Sequence, residues 1–414
     1  MADPANKQDK PTVSLPYELL RGIFHQATFI PHEWDVNYTS IIPGLFCMWD
    51  ELQVDAWREV LPLRRAIAQV SRTWRAVSVE FLYGTFHDGA KIGIMESFAS
   101  ILSDCPYYGT LVKRLTIRLT GEPEHDAQVA RILLHCPNLL IIDAHDTSSV
   151  GGSSLVTLPD LTVLSTTIRQ LGIANVPTST VFAILIHLQN LEILSIKVML
   201  ESDRTPPPLI VLPNLRMLQF ISGCAATVDI YTRSLKLPRL SALSINIYGV
   251  PQSIARLPND MANRLLCLQF IYLFENLSGW NAEDLPNLRC LRLKWRHLKS
   301  EFFRSQLPMK QIVELTCDLV PFDDDDLSAI YQPLFEGLMN FALDPDSMPN
   351  LKYFTLDIYN WSRNLLRGKD EIGSRGRAYF AGLKAAFDRR GVDLYCYLSS
   401  ILHGKVLIGD ILEA

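Results

Sequence analysis

The spacing of apolar residues changes period along this chain. Between Ser14 and Ala27, the apolar positions Leu19, Leu20, Ile23, Phe24 and Ala27 recur three or four apart, with Glu18, Arg21 and Gln26 between them. That spacing predicts a helix with one apolar stripe. Pro16 suits its first turn, where a missing N–H costs nothing, and Ser14 offers a capping oxygen. A second helix is predicted through Ile67, Val70, Trp74, Val77 and Phe81, flanked by Arg64, Arg65, Arg72 and Arg75.

Further on, the pattern becomes apolar-x-x-apolar-x-apolar. It occurs at Leu191-x-x-Leu194-x-Ile196, Leu215-x-x-Leu218-x-Phe220, Leu240-x-x-Leu243-x-Ile245, Leu265-x-x-Leu268-x-Phe270 and Leu288-x-x-Leu291-x-Leu293, in steps of 24, 25, 25 and 23 residues. Several copies follow Leu-Pro-Asn or Leu-Pro-Arg. This period resembles that of leucine-rich repeats. Weaker copies begin at Val112, Leu139, Leu161, Ile312 and Leu351, so about ten repeats are expected over residues 112–358. One such unit cannot bury its own stripe, and stacking into parallel strands is therefore expected, with helices at 127–134 and 180–186 on the outer side. The Asn or Cys that follows the strand in regular repeats is replaced by Thr120, Met199, Gly223 and Tyr248, which predicts an irregular solenoid. A helix over 375–390, stopped by Gly391, and a strand through Val392, Leu394 and Cys396 are expected to cap its end; loops are expected at 200–209 and 344–348. Residues between the fixed apolar positions face the concave side and form a candidate target-binding surface: Arg114, Arg118, Asp143, His145, Lys197, Gln219, Asn246, Tyr248, Gln269, Arg292, Lys294, Asp318, Tyr353 and Asp357.

The N-terminal order Leu15-Pro16, Leu19-Leu20, Ile23-Phe24, then Trp74-Arg75-x-Val77 and Leu82-Tyr83 resembles the fungal type of F-box-like protein. Members carry a Leu-Pro-x-Glu-Leu-Leu start, a later Trp and a Leu-Tyr close. Ser71 stands where the family usually has Cys, and the stretch 29–62 separates the helices by more than a compact F-box needs. The resemblance implies docking of a Skp-family adaptor and a cullin ligase complex through Leu15, Pro16, Leu19, Leu20, Ile23, Phe24, Val70, Trp74 and Val77, with Leu15, Pro16, Leu20 and Ile23 more exposed to the adaptor than Trp74. The repeats would then hold a target protein. The expected organisation is α/β: a tail at 1–13, an F-box-like helical module at 14–86 with an insert at 29–62, an irregular leucine-rich-repeat solenoid with its cap at 87–398, and a tail at 399–414.

Composition narrows the chemistry. With 48% hydrophobic and 20% charged residues among 414, the chain has the makings of a large core. A net charge of −5 provides no basic footprint for nucleic acid. The polar N-terminus and the lack of a long apolar run predict neither a signal peptide nor a membrane helix, hence an intracellular protein. Eight scattered cysteines without a Cys-x-x-Cys pair suggest neither a zinc site nor a disulfide framework. The nine histidines are dispersed, and no zincin helix, nucleophile elbow or phosphate loop occurs. No catalytic residue, metal or cofactor is expected. Asp323 to Asp326 read as helix N-terminal charge, and Trp34, Trp49 and Trp57 as local core. Two other classes compete with the ligase reading: a scaffold whose N-terminal helices only cap the solenoid, and an enzyme whose site is assembled across repeats.

Overall fold

The computed structural model describes residues 15–30, 33, 49–88, 93–119, 123–146, 166–174, 176–197, 208–222, 225–246, 257–272, 282–294, 308–318, 336–357, 371–397 and 405–407. Helix α1 is Tyr17–Ala27, a later start than expected, so Pro16 stands at its N-cap instead of inside the first turn; the Leu20 N–H donates to the Pro16 carbonyl at 3.1 Å. Ser14 lies outside the described residues. The second predicted helix is in fact two, α2 (Trp49–Val70) and α3 (Arg72–Tyr83). The break is at Ser71, whose backbone is extended and whose Oγ accepts from the Trp74 N–H at 3.1 Å. A serine that caps the following helix cannot also continue the preceding one. Residues 49–62 of the expected insert thus form the first part of α2, which runs through Pro62.

These helices share a small core of Leu20, Phe24, Ile67, Val77 and Phe81, with Trp74 packed against it and 4.9 Å from the Phe24 ring. Trp57 on α2 is buried and stacks on His87 at 5.6 Å, as the local-core reading expected. Trp34 and the Trp49 side chain lie outside the described part.

Directly after α3 the chain enters β1 (Thr85–His87). The strands that follow are β2 (Arg114–Leu119), β3 (Ile141–Asp146), β4 (Gln170–Ala174), β5 (Ile193–Lys197), β6 (Ile210–Val211), β7 (Met217–Ser222), β8 (Leu235–Lys236), β9 (Ala242–Asn246), β10 (Cys267–Tyr272), β11 (Cys290–Lys294), β12 (Glu314–Asp318), β13 (Tyr353–Asp357), β14 (Asp393–Tyr397) and β15 (Lys405–Leu407). Apart from the small β6–β8 pair, they form one 13-stranded sheet in sequence order. All its pairings are parallel except the last, β14 with β15. Residues 405–407, expected in a tail, therefore close the sheet. Interspersed helices are α4 (Ile94–Asp104), α5 (Pro106–Leu111), α6 (Pro123–His135), α7 (Thr178–Leu185), α8 (Ala225–Ser234), α9 (Asn259–Ala262), α10 (residues 336–343) and α11 (Glu371–Asp388).

The repeated apolar pattern becomes a ladder. Leu115, Ile142, Leu171, Leu194, Leu218, Leu243, Leu268, Leu291, Leu315, Phe354 and Leu394 stand Cα to Cα on successive strands, each buried. The copy assigned to Leu161 falls outside the described residues; the stacked copy in that interval is Ile168-x-x-Leu171-x-Ile173 on β4. It escaped notice because Gly172 and Ala174 dilute its pattern. Helices α6, α7, α8 and α11 close this core with Val129, Ile132, Phe182, Tyr231, Phe380, Leu383 and Phe387. Gly391, at φ +67°, ends the turn after α11, a conformation that costs glycine little.

The Leu-Pro-Asn-Leu segments at 212–215 and 285–288 turn the chain into β7 and β11. The Leu215 N–H donates to the Leu212 carbonyl at 3.4 Å and the Leu288 N–H to the Leu285 carbonyl at 3.1 Å, with proline at the second turn position, whose φ it presets. The asparagine side chains tie each turn to the preceding one: Asn190 Nδ2 donates to the Thr166 carbonyl at 2.9 Å, Asn214 to Gln189 at 3.1 Å, Asn287 to Asn263 at 2.6 Å and Asn350 to Lys310 at 2.7 Å. Where Arg239 replaces asparagine, its Nη1 donates to Asn214 Oδ1 at 3.1 Å. Cross-repeat asparagine bonds thus exist before the strand, whereas the expectation looked for them after it. No helix among the described residues is long and apolar enough to cross a membrane. Asp323 to Asp326 lie outside the described residues.

Candidate functional site

The first candidate surface lies on α1. Its apolar residues divide between two faces: Leu20 and Phe24 turn into the interhelical core, whereas Leu19 and Ile23 are 56% and 52% exposed. Leu19 and Ile23 are four apart and so lie one above the other on the helix. Leu15, Pro16 and Tyr17 just before them are exposed as well. On α2, Leu63 and Val70 are exposed two turns apart, and Phe29 is exposed beyond α1. Ala27, expected on the buried stripe, is exposed.

Three expected adaptor contacts are corrected by burial. Leu20, Phe24 and Val77 are 4%, 2% and 1% exposed because α1 packs on α3 through them, and Trp74 is half-buried against Phe24. What remains of that set at the surface is Leu15, Pro16, Leu19, Ile23 and Val70. Tyr17, Leu63 and Phe29 were missed, since their spacing signals a core residue as readily as an exposed one.

Charge ties the segment after α1 to α2. Arg64 on α2 donates twice to the Glu33 carboxylate, at 3.0 and 2.7 Å, and once to the Thr28 carbonyl at 3.0 Å. Both charged residues are buried, so the pair needs this bidentate geometry to offset its desolvation. Arg21 on the outer side pairs with Glu80 of α3.

The second surface is the sheet face opposite the main core. Alternation along each strand assigns to it the row Ile141, Gln170, Ile193, Met217, Ala242, Cys267, Cys290, Glu314 and Tyr353, and beside it the row Thr116, Asp143, Gly172, Ser195, Gln219, Ser244, Gln269, Arg292, Thr316 and Thr355. The expectation of an open polar face is corrected over much of its length. Arg114, Asp143, Gln219, Gln269 and Arg292 are all buried. Arg114 Nη2 donates to Asp143 Oδ2 at 2.6 Å, and Gln219 Oε1 accepts from Ser195 Oγ at 3.0 Å. Ile141, Ile193, Met217 and Ala242 form an apolar cluster there, with Leu140 and Cys267 against it. Parallel strands buried on both faces lose simple alternation, which is why this cluster was not foreseen. The buried Ser244 hydroxyl and the Gln269 side-chain amide, on facing positions, have no hydrogen-bond partner among the described residues.

Towards β13 the face opens, and Tyr353 is 39% exposed. Arg118 pairs in register with His145, and Lys294, Asp318 and Asp357 follow one another across β11, β12 and β13. Lys197 and Asn246 also occupy strand ends. The side chains of these seven residues, and all of Tyr248, lie outside the described part. Among the described residues no group of three or more His, Cys, Asp or Glu is arranged to hold a metal ion. Mutual hydrogen bonding with Cys290, burial and the nearby Glu314 carboxylate hold the Cys267 thiol well above the ordinary thiol range.

The fold and these surfaces define a mixed α/β protein with a large parallel sheet and an N-terminal helical module that presents apolar side chains outward. No protein-family model matches the chain, and no curated protein is detectably similar to it.

Proposed function

We propose that this chain is a non-catalytic substrate-recognition subunit of an SCF-type cullin–RING ubiquitin ligase, intracellular, with an F-box-like N-terminal module and an irregular leucine-rich-repeat solenoid. The module docks a Skp-family adaptor and the repeats hold a target protein, whose lysines are thereby kept near a ubiquitin-charged enzyme. Proximity is the mechanism, and no nucleophile of this chain takes part.

The observation that carries the reading is the outward apolar face of α1. Leu19 and Ile23 are exposed while Leu20 and Phe24 of the same helix already fill the core. A helix that only capped the sheet would be polar outside, and an apolar face rimmed by polar residues marks an interaction site. A stable interface buries about 1,600 Å² in total, with its energy concentrated in a few anchors. Leu15, Leu19, Ile23 and Val70 are the anchors this reading requires.

The test is co-expression of the full chain with a Skp-family adaptor, followed by size-exclusion chromatography. Co-elution is expected for the unaltered chain, and Ile23→Asp weakens it at least tenfold with an unchanged thermal midpoint, because this side chain is half in solvent already. Co-elution undiminished by Ile23→Asp contradicts the assignment of this face.

A scaffold reading has its own support. Tyr83 at the end of α3 stacks on Tyr108 of α5 at 4.3 Å, and the chain passes from α3 into β1 at once, so the helices also cover the first strand of the sheet. Failure of the unaltered, folded chain to co-elute would favour that reading.

A further inference from the structure

Cys267 and Cys290 stand Cα to Cα on the adjacent parallel strands β10 and β11. Their side chains therefore leave the same face of the sheet, with backbones about 4.8 Å apart. Cys290 Sγ donates to Glu314 Oε2 on β12 at 3.7 Å. Both cysteines are free and partly exposed, whereas Cys136 and Cys317 are buried in the main core.

This arrangement is poorly suited to a disulfide. An S–S bond of about 2.05 Å, with Cβ atoms about 3.8 Å apart, would draw two in-register parallel strands together. Two sulfurs bound to one intervening soft atom need no such movement: bonds of about 2.3 Å to that atom span up to about 4.6 Å between sulfurs. Thiolates are also the ligands that select soft centres.

We propose that Cys267 and Cys290 form a dithiol site that clasps one soft, thiophilic metal or metalloid centre through both sulfurs. Glu314 already accepts the Cys290 S–H. In the empty site the Cys290 sulfur, burial and the Glu314 carboxylate all disfavour the Cys267 thiolate, the form that alkylation and oxidation require. Binding replaces the two protons with the positive charge of the centre. With a monosubstituted trivalent arsenical the step balances without any redox partner: two As–S bonds form, the As=O bond breaks, and its oxygen leaves as water with the two thiol protons.

The probe is phenylarsine oxide, added to the reduced full-length chain. One arsenic per chain is expected, with the loss of two titratable thiols, reversal by a small dithiol and resistance to the same concentration of a monothiol. Peptide mapping of the unaltered chain is expected to place the arsenic across the Cys267 and Cys290 peptides. Cys267→Ser and Cys290→Ser each lower uptake at least tenfold, while Cys105→Ser leaves it unchanged. Cadmium added beforehand blocks uptake where the site takes soft cations, and uptake that cadmium does not alter restricts it to metalloid centres. No uptake by the unaltered chain, mapping to other cysteines, or equal uptake by the double serine variant overturns the proposal.

Discussion

Arg64 carries one of the most buried charges in the described structure, at 2% exposure, and its position depends on partners far away in sequence. Its guanidinium joins α2 to Glu33 and to the carbonyl of Thr28, 31 and 36 residues upstream. Arg64→Ala would leave the Glu33 carboxylate buried and unpaired, and removing one partner of a buried pair costs about 3–5 kcal/mol. The expected result is a lowered thermal midpoint, since the chain leaving α1 is no longer held. A midpoint equal to that of the unaltered chain would show that the pair is dispensable. From the sequence, Arg64 was one of four arginines flanking an apolar stripe, with nothing to single it out. The asparagines of the Leu-Pro-Asn turns were visible as a recurring tripeptide. Their cross-repeat hydrogen bonds became evident only once each strand had a neighbour.

At the scale of elements, short-range signals located most strands but only some helices: α4, α5, α8, α9 and α10 were not expected. The expected helices at 127–134, 180–186 and 375–390 lie within or closely overlap α6, α7 and α11, because amphipathic spacing and terminal glycine are local properties. The boundary at Ser71 was missed: apolar spacing continues across it, and capping competes with continuation by a small margin. How closely elements approach is less legible still. Gly109 of α5 lies against the end of α6, where an added Cβ would stand 1.9 Å from the His135 carbonyl oxygen. Neither backbone can yield without disturbing the α4–α6 layer, so Gly109→Ala should destabilise by about 3 kcal/mol. Denaturant unfolding would show it as a lower midpoint, and an unaffected midpoint would mean that the two helices are free to separate.

For the whole molecule, the end of the parallel array is covered by α11, β14 and β15. Phe387 stacks on Phe354 at 4.6 Å, and both are fully buried. A chain ending at residue 370 would expose the β13 edge and the ring of Phe354, which invites pairing with a second copy. Aggregation, or a broadened unfolding transition, is expected in size-exclusion chromatography and thermal scans. A monomeric truncated chain with the full-length midpoint would show that these elements are not a cap.

The sequence by itself determined the alternation of apolar residues, the period near 24, the turn chemistry and hence the parallel strand array, because each of these acts over a few residues and repeats. It also contained the apolar residues of α1. Only the tertiary structure decided which of them are spent on the core and which remain outside: Leu20 and Phe24 share a stripe with Leu19 and Ile23 until α3 packs against one side. The same holds for the sheet. Gln219 and Gln269 read as exposed polar positions in the sequence, yet both are buried, and Cys267 and Cys290, 23 residues apart, face each other only because the strands stack in register. Burial and facing positions are relations between distant segments, and no local pattern encodes them.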